Sequence, residues 1–197
     1  MAKYNYVMSV DPDVDLTVLE EENTELQAYI VGNELYRTVH VRTAEVDQTV
    51  QMSGGDLLTR IFRLAGEADR LTPDQQRRFT KVRTEAEHTI YSLRSRFHEL
   101  LNRELKARLD ALNWFLDDAA ADPKRARSEY PFEIRNRQRI EIIAQQLDNN
   151  MEPALKQQLQ RVDGRIRTLA QPTDFIWDKR LEPIFPRNPF WYLYVNP

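Results

Sequence analysis

Apolar residues recur at intervals of three and four along most of the chain after Ser53. This spacing places them on one face of an α-helix, where they can pack against a core. The longest stripe is formed by Phe79, Val82, Ala86, Ile90, Leu93, Phe97, Leu100, Leu101, Leu105, Leu109, Leu112, Leu116 and Ala119. It continues for about eleven turns, which predicts one very long amphipathic helix.

Local signals mark both ends of this helix. Thr72, Pro73 and Gln75 form a capping-box start with proline at the first helical position. Asp122 precedes Pro123, and the residue before a proline is disfavoured in the helical region, so the helix should end there. Such a helix would be roughly 70 Å long, whereas a compact domain of this chain length is only about 40 Å across. We therefore expect a rod or an elongated bundle.

Three further segments show helical periodicity, namely 54–71, 132–147 and 152–170. The part of the chain that follows Pro123 has nearly the length of the long helix. We interpret it as a return leg that is kinked where residues 148–150 interrupt the period. The prediction is a long antiparallel helical hairpin, thickened at one end by the helix over 54–71.

The first fifty residues show the alternation that is typical of strands. The alternating apolar positions are Tyr4, Tyr6, Met8, Val10, Val14, Leu16, Val18, Leu35, Val39 and Val41. A turn signal at Asp11-Pro12-Asp13 separates the first two runs. Residues 34–42 are rich in β-branched side chains, so they are predicted as a strand, with another short strand over 49–52.

Residues 18–31 fit two different structures. Thr17 with Glu20 resembles a capping box and Gly32 a helix C-terminus, which favours a helix over this segment. Alternatively, Gly32 and Asn33 form the two-residue turn of a hairpin that joins 27–31 to 34–42. The helix is slightly favoured.

The end of the chain combines prolines with large aromatic side chains. These aromatics are Phe175, Trp177, Phe185, Phe190, Trp191, Tyr192 and Tyr194. Disordered tails are poor in aromatic residues, so the tail should dock on a surface. Residues 190–195 are a candidate strand for addition to the N-terminal sheet.

These elements predict an α+β protein that is mainly α. We expect a long antiparallel helical hairpin or elongated bundle with a small N-terminal β-containing head. The predicted domains are an acidic β-containing head over 1–52, an elongated helical bundle over 53–170, and an aromatic, proline-rich tail over 171–197. The tail is expected to dock on the fold or on a neighbour.

Composition narrows the classes of function. The chain has no cysteine, which excludes disulfides, thiolate metal sites and cysteine nucleophiles. The net charge of −3 provides no whole-chain attraction for nucleic acid, although residues 1–55 carry ten acidic and only three basic side chains. The first residues lack the apolar core of a signal peptide, and no apolar run approaches the ~20 residues that span a bilayer. We expect a cytoplasmic protein without membrane insertion.

Two acidic motifs suggest metal chemistry. Glu85 and His88 have the Glu-x-x-His spacing of di-iron carboxylate bundles, but the chain has no second copy. Glu22 and Glu25 resemble the first half of the paired-carboxylate magnesium motif of all-α nucleotide pyrophosphohydrolases. The expected second pair is missing, because Glu45-Val46-Asp47 has the wrong spacing. Solvated helix faces explain both motifs better, so we predict no catalytic residue, no metal and no cofactor.

The densest basic segment extends from residue 124 to residue 139. Its candidate contact residues are Arg125, Arg127, Arg135 and Arg139. Arg135 and Arg139 share a helical face and have a spacing that suits successive phosphates. Glu129, Glu133 and Glu141 dilute this charge. A solvated face with ion pairs is the favoured interpretation, with contact to nucleic acid or to an acidic protein partner as the alternatives.

Aromatic side chains provide the second set of candidate contacts. In the tail these are Trp177, Phe190, Trp191, Tyr192 and Tyr194. Packing against the chain's own fold is favoured over docking into a neighbour. On the long helix, Trp114 and Phe115 are either exposed anchors or core residues, and the core is favoured.

Together these observations predict a non-enzymatic structural or interaction protein. Its partner is expected to be a protein, either a second copy of the chain or another subunit. The first alternative is a nucleic-acid-binding accessory protein that uses the arginine-rich helix faces. The second alternative is a metal-dependent all-α enzyme.

Overall fold

The computed structural model describes residues 11–42 and 47–197. The chain divides into two compact units, Met1–Leu101 and Asn102–Pro197. This division lies inside the helix Arg94–Ala121, whereas the sequence suggested boundaries after residues 52 and 170. The fold class is confirmed, because helices dominate and a small two-stranded antiparallel sheet lies near the N-terminus.

The first helix, α1, spans Pro12–Gly32. Asp11 is its N-cap and accepts a hydrogen bond of 2.9 Å from the backbone N–H of Asp13. The helix ends at Asn33, which adopts the left-handed conformation with φ of 57°. The helical alternative for 18–31 is therefore correct and the hairpin is wrong.

The strand interpretation of Val14, Leu16 and Val18 is also wrong, because these residues lie in the first two turns of α1. The predicted turn at 11–13 is the start of this helix. Thr17 is not a cap, since its hydroxyl donates to the backbone carbonyl of Asp13 inside the helix. The alternating residues before position 11 lie outside the described residues.

A β-hairpin follows α1. Strand β1, Arg37–Arg42, pairs in antiparallel register with β2, Asp47–Met52, so that Val39 lies opposite Val50. Both predicted strands, 34–42 and 49–52, are confirmed in position. The buried face of the hairpin consists of Val39, Val41, Val50 and Met52.

Helices α2, Gly54–Gly66, and α3, Pro73–Ser92, also belong to the first unit. The predicted capping box at Thr72 is confirmed, because its hydroxyl accepts from the N–H of Gln75 and the Gln75 side chain accepts from the N–H of Thr72. Side-chain contacts show that α2 is antiparallel to α1 and that α3 is parallel to it. The apolar stripe of α3 is buried as expected.

The predicted single long helix is two helices. Helix α4, Arg94–Ala121, begins directly after Leu93, whose ψ of 23° leaves the helical range. Backbone hydrogen bonds nevertheless continue from Leu93 to Thr89 at 3.1 Å and from Phe97 to Leu93 at 3.0 Å. Neither glycine nor proline occurs there, so the apolar period passes through the interruption without a signal in the sequence.

The second unit adds α5, Pro123–Glu133, α6, Arg135–Leu147, and α7, Pro153–Leu169. Arg108 on α4 contacts Asn136, while Asn102 contacts the carbonyl of Asn150, so α6 is antiparallel to α4. The chain then reverses at residues 148–150, and α7 is parallel to α4. The single kinked return leg is therefore wrong, since the break reverses the chain.

The tail folds onto itself inside the second unit. Strand β3, Gln171–Pro172, pairs with β4, Val195–Asn196, and residues 191–194 form a 3₁₀ turn. The prediction of 190–195 as a strand of the N-terminal sheet is therefore wrong. Most of this segment is the 3₁₀ turn, and β4 pairs with β3 of the tail itself. None of the helices in the described ranges combines the length and the apolar composition needed to cross a bilayer.

Candidate functional site

Trp114 is a large exposed side chain on a helix of the second unit. It lies on α4 with 77% of its area exposed. Leu112 and Leu116 are 1% exposed and belong to the buried stripe of the same helix. Trp114 lies two residues from each, which rotates it about 200° away from them. The core interpretation is therefore wrong for Trp114. It is correct for Phe115, which is buried at 9% exposed.

Helix α7 holds this part of α4 in place. Gln158 donates to Oδ1 of Asp110 at 2.9 Å, one turn before Trp114. Arg165 donates to Oδ1 of Asn113 at 2.9 Å and to Oδ1 of Asp117 at 2.5 Å, on either side of Trp114. The exposed indole therefore lies on a helix whose position is fixed by hydrogen bonds to α7.

The surface near Trp114 has a distinct charge pattern. Residues 110–122 contain four aspartates and no basic residue. Hydrogen bonds from Lys106 and Gln158 lower the pKa of Asp110. Asp117 is paired with Arg165, and Asp118 is exposed one turn after Trp114. On the α7 side, Arg161 is also exposed.

The four arginines predicted as contact residues all make contacts within the second unit. Arg125 pairs with Glu129 at 2.8 Å, and Arg127 donates to the carbonyl of Pro197 at 2.7 Å. Arg135 is 8% exposed and stacks over the ring of Phe132, 3.5 Å from its centroid. Arg139 donates to the carbonyl of Arg135 at 3.4 Å. Of these four, Arg125 forms the solvated ion pair of the favoured interpretation, while the other three donate to backbone carbonyls of the same unit.

Arginines on the long apolar-striped helices are also engaged. Arg78 pairs with Glu20 at 2.7 Å and with Asp13 at 2.9 Å, which connects α3 to α1. Arg77 and Arg83 form i,i+3 and i,i+4 pairs with Asp74 and Glu87, and the 6% exposed Arg108 pairs with Glu104. Much of the positive charge that suggested a nucleic-acid surface is thus neutralised locally.

The predicted tail contacts pack mainly inside their own unit. Phe190 and Tyr192 are at most 1% exposed, and Tyr194 is 6% exposed with its hydroxyl donating to the carbonyl of Phe185. Trp177 is half-buried and donates its indole N–H to the carbonyl of Pro131 at 2.8 Å. Trp191 is half-buried beneath the guanidinium of Arg167.

A buried polar network that the sequence did not reveal anchors the tail. The Tyr130 hydroxyl donates to the carbonyl of Tyr192 at 2.9 Å, and burial raises the pKa of Tyr130. Arg137 stacks over the Tyr192 ring and forms two hydrogen bonds, of 2.7 and 3.0 Å, with the carboxylate of Asp163. Arg137 resembles any solvated helix arginine in sequence, so only the tertiary packing identifies it.

The first unit contains a second unpredicted network, of five buried charges shared by α1 and α2. Arg60 pairs with Glu22 at 2.7 Å, and Arg63 pairs with Asp15 and with Glu67. All five side chains are at most 5% exposed. Burial raises the pKa of Glu22 to about 8 and also raises the pKa of Glu67. Glu67 also lies 4.0 Å from Nη1 of the exposed Arg70, so the network reaches the surface at this end.

The motifs considered for metal binding are engaged with other partners. Glu22 pairs with Arg60, and Glu25 pairs with Arg37 at 2.8 Å. The Glu85 carboxylate accepts from Asn23. Across the described ranges, the structure brings together no group of three carboxylate or imidazole side chains that suits a metal ion. Glu45 lies outside these ranges.

No protein-family model, no curated protein and no solved structure matches the chain. Function is therefore inferred from the geometry of the chain alone.

Proposed function

We propose that this chain is a non-enzymatic interaction protein that assembles with a protein partner through the exposed face of α4 around Trp114. The observation that carries the proposal is the 77% exposure of this side chain on a helix held by α7. The partner is a second copy of the chain or another subunit.

Energetics favour burial of such a side chain. A tryptophan can bury about 150–250 Å², and each Å² of apolar surface removed from water contributes about 25 cal/mol before the costs of association. Tryptophan is also enriched among the residues that dominate binding energy at protein interfaces. The helix backbone is already ordered by α7, so little conformational freedom would be lost on binding.

The nucleic-acid alternative has weaker support. Affinity for a phosphate backbone needs several cations that are free to replace counterions. Arg78, Arg108, Arg125 and Arg137 instead pair with carboxylates of the same unit. The metal-dependent enzyme alternative needs a group of metal-binding side chains, and the described residues contain no such group.

The test compares Trp114→Ala with Tyr91→Ala in the full chain, each tagged and recovered from the native host. Tyr91 is a matched control, because it is 78% exposed on a helix of the first unit. We expect a stoichiometric protein component, either another subunit or untagged copies of the chain, to co-purify with the unaltered protein and with Tyr91→Ala. It should be lost with Trp114→Ala. Equal recovery with both variants would refute the proposal.

A further inference from the structure

Gly164 occupies the middle of α7, although glycine is the least favourable helix residue apart from proline. It is exposed, and among the residues that the structure describes nothing lies within 4 Å of a Cβ built at this position. Its φ does not lie in the left-handed region. Neither the backbone conformation nor the packing of the described chain therefore requires glycine here. Close approach by a partner would supply that requirement.

Gly164 and Trp114 lie on neighbouring helices. Arg165, which follows Gly164, donates to Asn113, which precedes Trp114. Both residues are exposed, so the same pair of helices presents a large projecting side chain on α4 and a position without a side chain on α7. A projection and a gap of this kind are complementary in shape.

Charge on the two helices is complementary as well. The last part of α4, residues 110–121, carries three aspartates and no base, whereas α7 carries four basic residues and one acidic residue, Asp163. That aspartate is held by Arg137. Asp118 on α4 and Arg161 on α7 are exposed side chains of opposite charge. A surface with an acidic half and a basic half can pair with a copy of itself about a two-fold axis, because each contact then occurs twice.

We propose that the occupant of this surface is a second copy of the chain. The Trp114 side chain of each copy packs over Gly164 of the other, and Arg161 of each copy meets Asp118 of the other. This inference rests on the proposed function and names its partner. It uses only residues of the second unit.

Sedimentation equilibrium of the purified full chain tests the inference. We expect a reversible dimer whose dissociation constant rises about thirtyfold or more with Trp114→Ala, as for a dominant interface residue. Gly164→Ala should raise the melting temperature at concentrations where the chain is monomeric, because alanine favours the helix, and should weaken the dimer. Gly32→Ala is the matched control, since that glycine also has open space around it, and should leave the dimer unchanged.

Charge reversal provides a second test, which does not depend on the contact between Trp114 and Gly164. Arg161→Glu and Asp118→Arg should each weaken the dimer, and the double variant should restore much of the affinity. Circular dichroism verifies that each variant is folded. Retained dimerisation in Trp114→Ala and Gly164→Ala, or absence of rescue in the double variant, would refute the inference.

The two proposals fail in distinguishable ways. If the purified chain is monomeric but Trp114→Ala still loses a different protein in recovery from the host, the proposed function stands and the second copy is the wrong partner. If the chain is monomeric and Trp114→Ala changes nothing in either experiment, both proposals are wrong.

Discussion

The Glu22 carboxylate on α1 accepts a hydrogen bond of 2.7 Å from Nη1 of Arg60 on α2, and both side chains are at most 3% exposed. Its second oxygen, Oε2, is buried without a hydrogen-bond partner among the described residues. Burial opposes the charged form of this carboxyl more strongly than Arg60 favours it, so the pKa of Glu22 rises to about 8.

This relationship predicts a pH-dependent stability of the first unit. Between pH 4.5, the ordinary pKa of Glu22, and its folded value of about 8, the folded state holds a proton that the unfolded state has lost. The free energy of unfolding should therefore fall as pH rises through this window and level off above it. Glu22→Gln keeps an oxygen acceptor for Arg60 and carries no charge, so it should flatten this decline.

Urea unfolding of both proteins between pH 5 and pH 9 measures the effect. The stability difference between pH 5 and pH 8 should shrink by a few kcal/mol, roughly, in Glu22→Gln. Glu67, whose pKa is also raised, leaves a residual slope of the same sign. Identical pH profiles for the two proteins would contradict the assignment to Glu22.

The ion pair between Arg137 and Asp163 should be important for the second unit. Asp163→Ala leaves the 4% exposed guanidinium of Arg137 with Glu141 as its remaining carboxylate partner among the described residues. We expect a loss of about 3 kcal/mol, because this change breaks a buried charge pair and removes two hydrogen bonds from the guanidinium. Glu129→Ala breaks the exposed pair with Arg125 and should leave stability almost unchanged. Chemical denaturation that gives equal losses for the two variants would show that burial does not decide their contributions.

The Tyr130 hydroxyl should hold the aromatic tail in place. Tyr130→Phe leaves the buried carbonyl of Tyr192 without this donor, at an expected cost of about 2 kcal/mol. Tyr91→Phe removes the same atom from an exposed ring and should change stability by less than about 0.5 kcal/mol. Thermal unfolding monitored by near-ultraviolet circular dichroism reports the tail aromatics directly. A neutral Tyr130→Phe variant would mean that the tail is held by apolar contacts alone.

Nucleic acid should bind weakly at most. Because many arginines pair with carboxylates of the same unit, few counterions would be released from a phosphate backbone. Fluorescence anisotropy with a labelled duplex and a labelled single strand should show no binding in the micromolar range at 50 mM salt. Tight binding that falls steeply with added salt would favour the nucleic-acid alternative instead.

Helix starts were predictable where a capping residue precedes proline. Thr72-Pro73 predicts a helix start, and the structure confirms its capping box. Asp11-Pro12 has the same form, and the structure shows Asp11 capping α1. The same residues, Asp11-Pro12-Asp13, are also a turn signal, and the apolar alternation on both sides favours strands. The local cap was thus the better indicator at this point of the chain.

Direction and burial were less predictable. A break such as residues 148–150 ends a helical period without indicating whether the chain bends or reverses. Arg60, Arg63 and Arg137 match solvated helix positions in sequence, since each of them also pairs with a carboxylate on another helix that the sequence does not bring near it. The core position favoured for Trp114 is wrong, although the phase of the leucines on either side places it opposite the stripe and contained the signal for its exposure.

The pairing of β3 with β4 gives the tail a property that a free C-terminal segment lacks. Residues 171–172 and 195–196 are joined, and inside this closed loop Thr173 and Ile176 donate to the carbonyls of Tyr194 and Leu193. These amides exchange with solvent deuterium when this pairing opens, which also separates the buried rings of Phe175 and Tyr194. Their exchange with deuterium should therefore be slow and collective, and should follow the opening of the second unit.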